Sequence, residues 1–192
     1  MTGINKVLHL LKKQYPEPEF ALKTADPLQT LVATILSAQC TDARVNIVTE
    51  GLFKKYRKVD DYAKAPLKNF EQEIRSTGFY HNKAKNIIAA AQKILESFRG
   101  RVPQAMEDLL ELPGVARKTA NVVLFNAFGV NEGIAVDTHV IRVSQRLGLT
   151  KNSDPVKIVR ELGLEPVPVD IDFDTTAPKI QDIEKLINPN VY

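Results

Sequence analysis

The chain has 192 residues, of which 44% are hydrophobic, enough for one compact domain or two small lobes and too apolar for extended disorder. The 26 Lys and Arg against 23 Asp and Glu give a formal net charge of +3, which permits a nucleic-acid partner without requiring one. A single cysteine, Cys40, excludes an intramolecular disulfide. The N-terminal residues lack a signal-peptide pattern, and no apolar run approaches the roughly 18 residues of a membrane span. We therefore expect a soluble intracellular protein.

Helical periodicity begins at the N-terminus, where Ile4, Leu8 and Leu11 mark one apolar face and Pro16 and Pro18 end the pattern. Asp26-Pro27 then supplies an N-cap residue and a first-turn proline, followed by an apolar run typical of a buried helix. Thr41 or Asp42 is placed to cap the next helix. Further helices are predicted at 60–64, 66–75, 82–98, 105–112, 115–128 and 138–149.

No segment shows sustained strand alternation between hairpin turns, so the sequence predicts an all-α protein of about nine or ten helices. The last forty residues differ from the rest. A short helix is predicted through 156–162 and another near 180–187. The remainder carries prolines at 166, 168, 178 and 189 and is expected to be loosely structured.

The most informative segment is the turn Pro113-Gly114 between two helical patterns. Gly114 allows unusual dihedral angles and a close approach of the backbone to a ligand. The amides of Val115, Ala116 and Arg117 open the next helix, whose positive end suits a phosphate. Such a hairpin holds a DNA backbone without reading its sequence. The alternative is an ordinary corner in a helical bundle.

Lys118 lies in the first turn of the helix that follows this hairpin. The helix dipole disfavours a cation there, which favours the neutral amine that a nucleophile requires. The alternative is a solvated or phosphate-binding lysine.

Asp137 directly precedes another predicted helix. Its position suits an N-cap, and the same carboxylate can stabilise cationic sugar character or accept a proton. His139, two residues later, is either a phosphate contact or a partly buried structural histidine.

Three ordered segments carry a family resemblance. The hairpin LPGVARKTANVVL followed by VDTHVIRV, together with SAQCTDARVN and STGFYHNKAKNI, resembles the endonuclease III family of helix-hairpin-helix DNA glycosylases over roughly residues 5–150. Ala116 stands where the commonest family form has a second glycine. The resemblance implies a six-helix lobe over 21–134 that carries the hairpin, and a second helical lobe made of 1–20 and 135–192. Lys118 and Asp137 would face each other across the cleft between the lobes.

The resemblance also implies roles for individual residues. Lys118 would attack C1′ of a damaged nucleotide and form a Schiff base, and β-elimination would cut the strand on the 3′ side. Asp137 would assist the attack and the later proton transfers. Gln39 would enter the duplex where the damaged nucleotide is extruded, Phe79 would act as a wedge, and Lys83 is expected to contact DNA. The alternatives are a helix-terminal amide for Gln39 and a core aromatic for Phe79.

The function implied is excision of oxidised pyrimidines from double-stranded DNA, with cleavage of abasic sites, by a monomeric glycosylase and AP lyase. The family usually ends with four cysteines that hold a 4Fe–4S cluster. None follows Cys40 here, so we expect no cofactor and no metal. Either the chain is a cluster-free variant with a substitute tail, or the second lobe is incomplete through truncation or a frame-shift. The alternative function is a non-catalytic or crippled DNA-binding remnant of such an enzyme.

Overall fold

The computed structural model describes residues 3–16, 20–132, 138–154, 157, 158 and 161. Across these ranges the chain forms nine α-helices and one 3-10 helix, and no β-strand. The all-α prediction is therefore confirmed. The helices are α1 Gly3–Gln14, α2 Pro27–Ser37, α3 Asp42–Lys55, α4 Val59–Ala63, α5 Leu67–Glu73, the 3-10 helix Arg75–Thr77, α6 Tyr80–Ser97, α7 Met106–Leu110, α8 Arg117–Phe128 and α9 Thr138–Arg146.

The predicted helix starts at α2 and α3 are confirmed in atomic detail. Asp26 accepts a hydrogen bond from the Gln29 amide at 2.8 Å, and Pro27 is the first residue of α2. Thr41, rather than Asp42, caps α3 by accepting from the Arg44 amide at 3.4 Å. Each cap satisfies an amide that the first helical turn leaves without an intrahelical acceptor.

Helix α2 is the central element of the core. Its residues from Thr30 to Leu36 are all buried, and it packs against α3, α6 and α8. Tyr56, Tyr62 and Phe70 form an aromatic cluster, with centroids 5.1 Å apart for the two tyrosines and 5.3 Å apart for Tyr56 and Phe70. This cluster fixes the end of α3 against α4 and α5, while α4 lies along α6. The loops before α3, α6 and α8 therefore lead into helices that all pack against α2.

The buried hydrophobic cluster takes its members from Leu22 to Leu124. The division of the chain into lobes 21–134 and 1–20 plus 135–192 stays a prediction. The predicted helix after Asp154 falls largely outside the described residues, and the predicted helix near 180–187 falls wholly outside them. Among the helices that the structure describes, none is long and apolar enough to cross a membrane.

Candidate nucleic-acid interface and active site

The turn between α7 and α8 has the conformation expected of a hairpin. Gly114 adopts a φ of +78°, in the left-handed region that favours glycine. A Cβ built on Gly114 would lie 2.6 Å from the Cβ of Asn86 on α6. The hairpin is therefore seated directly on α6, and only glycine fits at this contact.

Val115 differs from the prediction. Its amide donates to the Leu112 carbonyl at 3.1 Å, and its side chain is buried. The amide is already used inside the turn, so Val115 anchors the hairpin to the core. This corrects the expectation that the Val115 amide faces a phosphate.

The N-terminus of α8 has no side-chain cap among the described residues. Its N-cap is Ala116, with extended backbone (φ −88°, ψ 170°) and no side-chain capping bond, whereas α2 and α3 are capped by Asp26 and Thr41. First-turn amides of a helix lack intrahelical acceptors, and the helix dipole is positive at this end. Arg117, the first residue of α8, has a buried Nε atom that no acceptor in the described chain reaches. An anion is the natural complement to such a helix end.

Lys118 is the second residue of α8, in the first turn as predicted, and its side chain is partly buried. Ala120, Val123 and Leu124 form the core-facing side of α8. Asn121, one turn after Lys118, is 6% exposed, and neither of its amide atoms has a hydrogen-bond partner among the described groups. Lys118 therefore lies at the border between the protein core and the surface next to the hairpin.

Gln39 and Phe79 share an unusual backbone conformation. Gln39, in the turn from α2 to α3, has a φ of +51°, and Phe79, directly before α6, has a φ of +47°. Gln39 is exposed and Phe79 is 64% exposed, so Phe79 is not a core aromatic residue. Left-handed backbone is strained for residues other than glycine and tends to occur at functional sites. Both side chains are thus exposed, on turns whose backbone is strained.

Lys83 does not lie on the surface. It is 5% exposed, and its Nζ atom donates to the carbonyl oxygens of Leu36 and Thr77, both at 2.8 Å. This corrects the prediction that Lys83 contacts DNA. The sequence carries no signal for these bonds, because the two acceptors are backbone atoms 47 and 6 residues away along the chain.

Two predicted site residues cannot be placed. Asp137 lies outside the described residues, although α9 begins at Thr138 as predicted. The side chain of His139 lies outside them as well.

Cys40 is buried in the turn beside Gln39, and burial raises the pKa of its thiol although the nearby charges of Lys83 and Arg44 lower it. A 4Fe–4S cluster requires cysteine thiolates, and the 192 residues contain one cysteine, so the residues present do not fit that group. Within the described residues, no three His, Cys, Asp or Glu side chains are grouped to hold a metal ion.

Comparison with known proteins connects these features to a family. Residues 32–169 match the model of the HhH-GPD superfamily of base excision DNA repair proteins. The chain is 58% identical over 157 residues to endonuclease III of Synechocystis sp., covering 82% of this chain and 72% of that protein. It is 49% identical over 154 residues to endonuclease III of Bacillus subtilis, covering 80% and 70% of the two chains.

Two solved structures are also similar. One is a non-covalent endonuclease III–DNA complex, with a TM-score of 0.76, 45% identity and coverage of 88% of this chain and 79% of the other. The second is a trapped endonuclease III–DNA covalent intermediate, with a TM-score of 0.76, 42% identity and coverage of 97% and 82%. Together with the hairpin, these matches show that the chain belongs to the endonuclease III family within the HhH-GPD superfamily of base excision DNA repair proteins.

Proposed function

We propose that the chain removes oxidised pyrimidines from double-stranded DNA through Lys118 and then cleaves the resulting abasic site. The broader class is fixed by the family, since the chain is a base excision repair DNA glycosylase of the endonuclease III type. What is proposed for this chain is the damaged base, the catalytic residues and the order of the steps.

The reaction starts with a nucleophile and ends with strand cleavage. The neutral amine of Lys118 attacks C1′ while the bond from C1′ to the base breaks, so the base leaves with the electron pair and takes up a proton. Loss of the amine proton and opening of the sugar ring give a Schiff base between Nζ and C1′. Removal of a proton from C2′ then expels the 3′ phosphate by β-elimination, and water releases the lysine. We assign the proton transfers to Asp137.

The observation that carries this proposal is the position of Lys118 directly after the hairpin. The amides around Ala116 and Arg117 form a positive helix end without a side-chain cap in the described chain, which suits a DNA phosphate. We infer that a phosphate held there would bring the adjoining sugar close to the next residue of the helix, which is Lys118. Positioning of this kind is a large part of what makes an amine reactive toward one carbon atom.

Gln39 and Phe79 supply the second part of the proposal. A nucleotide must leave the base stack before its C1′ is accessible, at a cost of a few kcal/mol. Side chains that enter the duplex offset this cost by filling the space left behind. Gln39 and Phe79 are exposed on strained turns, and the similar solved structures hold DNA. We assign both residues to this role. We also propose that the protein acts as a monomer.

The deciding experiment is borohydride trapping, because borohydride reduces the Schiff base to a stable amine. The protein is mixed with duplex DNA carrying thymine glycol or an abasic site, and the covalent adduct is resolved on a denaturing gel. We expect an adduct from the unmodified chain and none from Lys118→Gln, which retains duplex binding measured by fluorescence anisotropy. Lys64→Gln is the matched control, since the Lys64 side chain is 78% exposed and pairs with Asp60 on α4.

Absence of an adduct from unmodified protein that melts cooperatively would contradict the proposal. DNA binding without cleavage would instead favour a non-catalytic DNA-binding protein derived from such an enzyme. We further infer that this stretch of chain acts without a cluster of its own, on nucleoid DNA in the cytoplasm of its cell. Iron content measured on the purified, active protein tests the first of these points.

A further inference from the structure

We propose that Lys83 is a positioning residue that sets the distance between the two turns carrying Gln39 and Phe79, and thereby controls extrusion of the damaged nucleotide. This inference rests on the proposed function, because it assigns Lys83 to the step in which Gln39 and Phe79 enter the duplex. It concerns a buried side chain that touches neither DNA nor the reacting atoms.

The contacts of Lys83 join the two turns directly. The Leu36 carbonyl belongs to the last turn of α2, three residues before Gln39, and the Thr77 carbonyl lies two residues before Phe79. Both bonds are 2.8 Å long and come from a single Nζ atom. A change in the position of this ammonium therefore moves both turns relative to each other.

The buried charge of Lys83 makes its two hydrogen bonds costly to break. The ammonium is held in the first turn of α6, where the helix dipole disfavours a cation, and burial adds a further cost. The two carbonyls offset these costs because they lie at the ends of α2 and of the 3-10 helix, where carbonyls lack helical partners and helix dipoles are negative. Because moving either carbonyl away would cost a hydrogen bond to a buried charge, the two bonds favour one geometry of the turns.

The backbone of the two turns requires such support. Gln39 and Phe79 both adopt left-handed φ values, which persist only when the surrounding structure determines them. The Lys83 amide also donates to the Phe79 carbonyl at 3.1 Å, so the same residue holds Phe79 through its backbone and its side chain. We infer that Lys83 keeps both turns in the conformation that enters DNA, before DNA binds.

The test separates extrusion from chemistry. Lys83→Met keeps an unbranched side chain, one atom shorter than lysine, and removes the donor. Single-turnover adduct formation is measured on two substrates, an abasic site paired within a duplex and an abasic site inside a short unpaired bubble with duplex arms. The second needs no extrusion. We expect Lys83→Met to slow the duplex reaction at least tenfold and the bubble reaction less than twofold, whereas Lys64→Met changes neither.

Two further measurements complete the design. The fluorescence of 2-aminopurine opposite the abasic site reports unstacking, and we expect its rise on binding to be reduced in Lys83→Met and recovered in part in Lys83→Arg. In a Phe79→Gly background, Lys83→Met should add little to the loss, because both changes then affect the same step. If Lys83→Met does not melt cooperatively, the duplex and bubble rates are compared for Lys83→Gln instead. The same result is expected, which is a larger loss of rate on the duplex than on the bubble.

Equal slowing on both substrates, or an unchanged duplex rate and fluorescence, would overturn the inference and leave Lys83 as a structural residue. Failure of the proposed function has a different signature, since the unmodified chain would then form no adduct on either substrate.

Discussion

Gly114 in the hairpin and Asn86 on α6 are in such close contact that a Cβ on Gly114 would lie 2.6 Å from the Cβ of Asn86 and 2.8 Å from its Nδ2. Lys83 lies three residues before Asn86 on the same helix. Its Nζ atom donates to two backbone carbonyls, one shortly before Gln39 and one shortly before Phe79. The first half of α6 thus fixes the hairpin and both strained turns. We therefore expect changes in this half of α6 to affect DNA binding and extrusion of the damaged nucleotide.

Replacing Gly114 with alanine should damage the hairpin in two ways. Its φ of +78° is strained for alanine, and the added methyl overlaps Asn86. We expect a loss of about 1–3 kcal/mol in the free energy of unfolding. Duplex affinity, measured by anisotropy, should fall as well. Gly51→Ala is the matched control, because Gly51 lies inside α3 with nothing near its Cβ position and should gain roughly 0.5–1 kcal/mol. Equal stability for the two variants would contradict the argument.

Replacing Phe79 with glycine should separate stability from activity. Phe79 is 64% exposed, so little buried surface is lost, and glycine relieves the left-handed strain while making the unfolded chain more flexible. We expect the free energy of unfolding to change by less than about 1 kcal/mol, and excision from duplex DNA to fall at least tenfold. Phe125→Ala, at a phenylalanine 59% exposed on α8, is the control and should leave excision unchanged. Normal excision by Phe79→Gly would remove Phe79 from the interface.

Replacing Asn121 with leucine should stabilise the protein. Both amide atoms of Asn121 are buried without a partner in the described chain, and such atoms cost about 1–3 kcal/mol. Leucine has the same branched shape and the same number of heavy side-chain atoms, and it has a higher helix propensity, so a higher midpoint is expected in urea unfolding. Asn126→Leu should show no comparable gain, because Asn126 is exposed and its amide donates to the Val122 carbonyl at 2.8 Å. A lower midpoint for Asn121→Leu would mean that water satisfies the amide in solution.

Cys40 should be unreactive in the native protein. Burial raises the pKa of its thiol above the ordinary value of 9.0, so the thiolate that reacts is scarcer in the folded than in the unfolded chain. Iodoacetamide at pH 8 should therefore modify the folded protein slowly and the urea-unfolded protein quickly, with one site per chain. The native rate should rise with pH and continue to rise above this ordinary value, where the rate of the unfolded chain levels off. Fast native labelling at pH 8 would show that the turn beside Gln39 opens readily.

The helices could be predicted from the sequence because the residues that start and end them lie within a few positions of each other. Asp26 and Pro27 mark the start of α2, Thr41 starts α3, and Gly114 forms the turn before α8. Segments with these signals fold as expected since capping and turn formation involve neighbours in sequence. The resemblance to the endonuclease III family had the same basis in short ordered segments, and the comparisons confirmed it.

Long-range packing determines which of Lys83 and Phe79 reaches the surface. Lys83 and Phe79 lie four residues apart in one motif, yet the first is buried on two carbonyls and the second is exposed. The sequence alone could not separate them, because the acceptor at Leu36 is brought to Lys83 by the packing of α2 against α6. The contact of Gly114 with Asn86 arises in the same way. The sequence by its local signals determined the helices and the turns. Long-range packing set which side chains are buried and which are exposed.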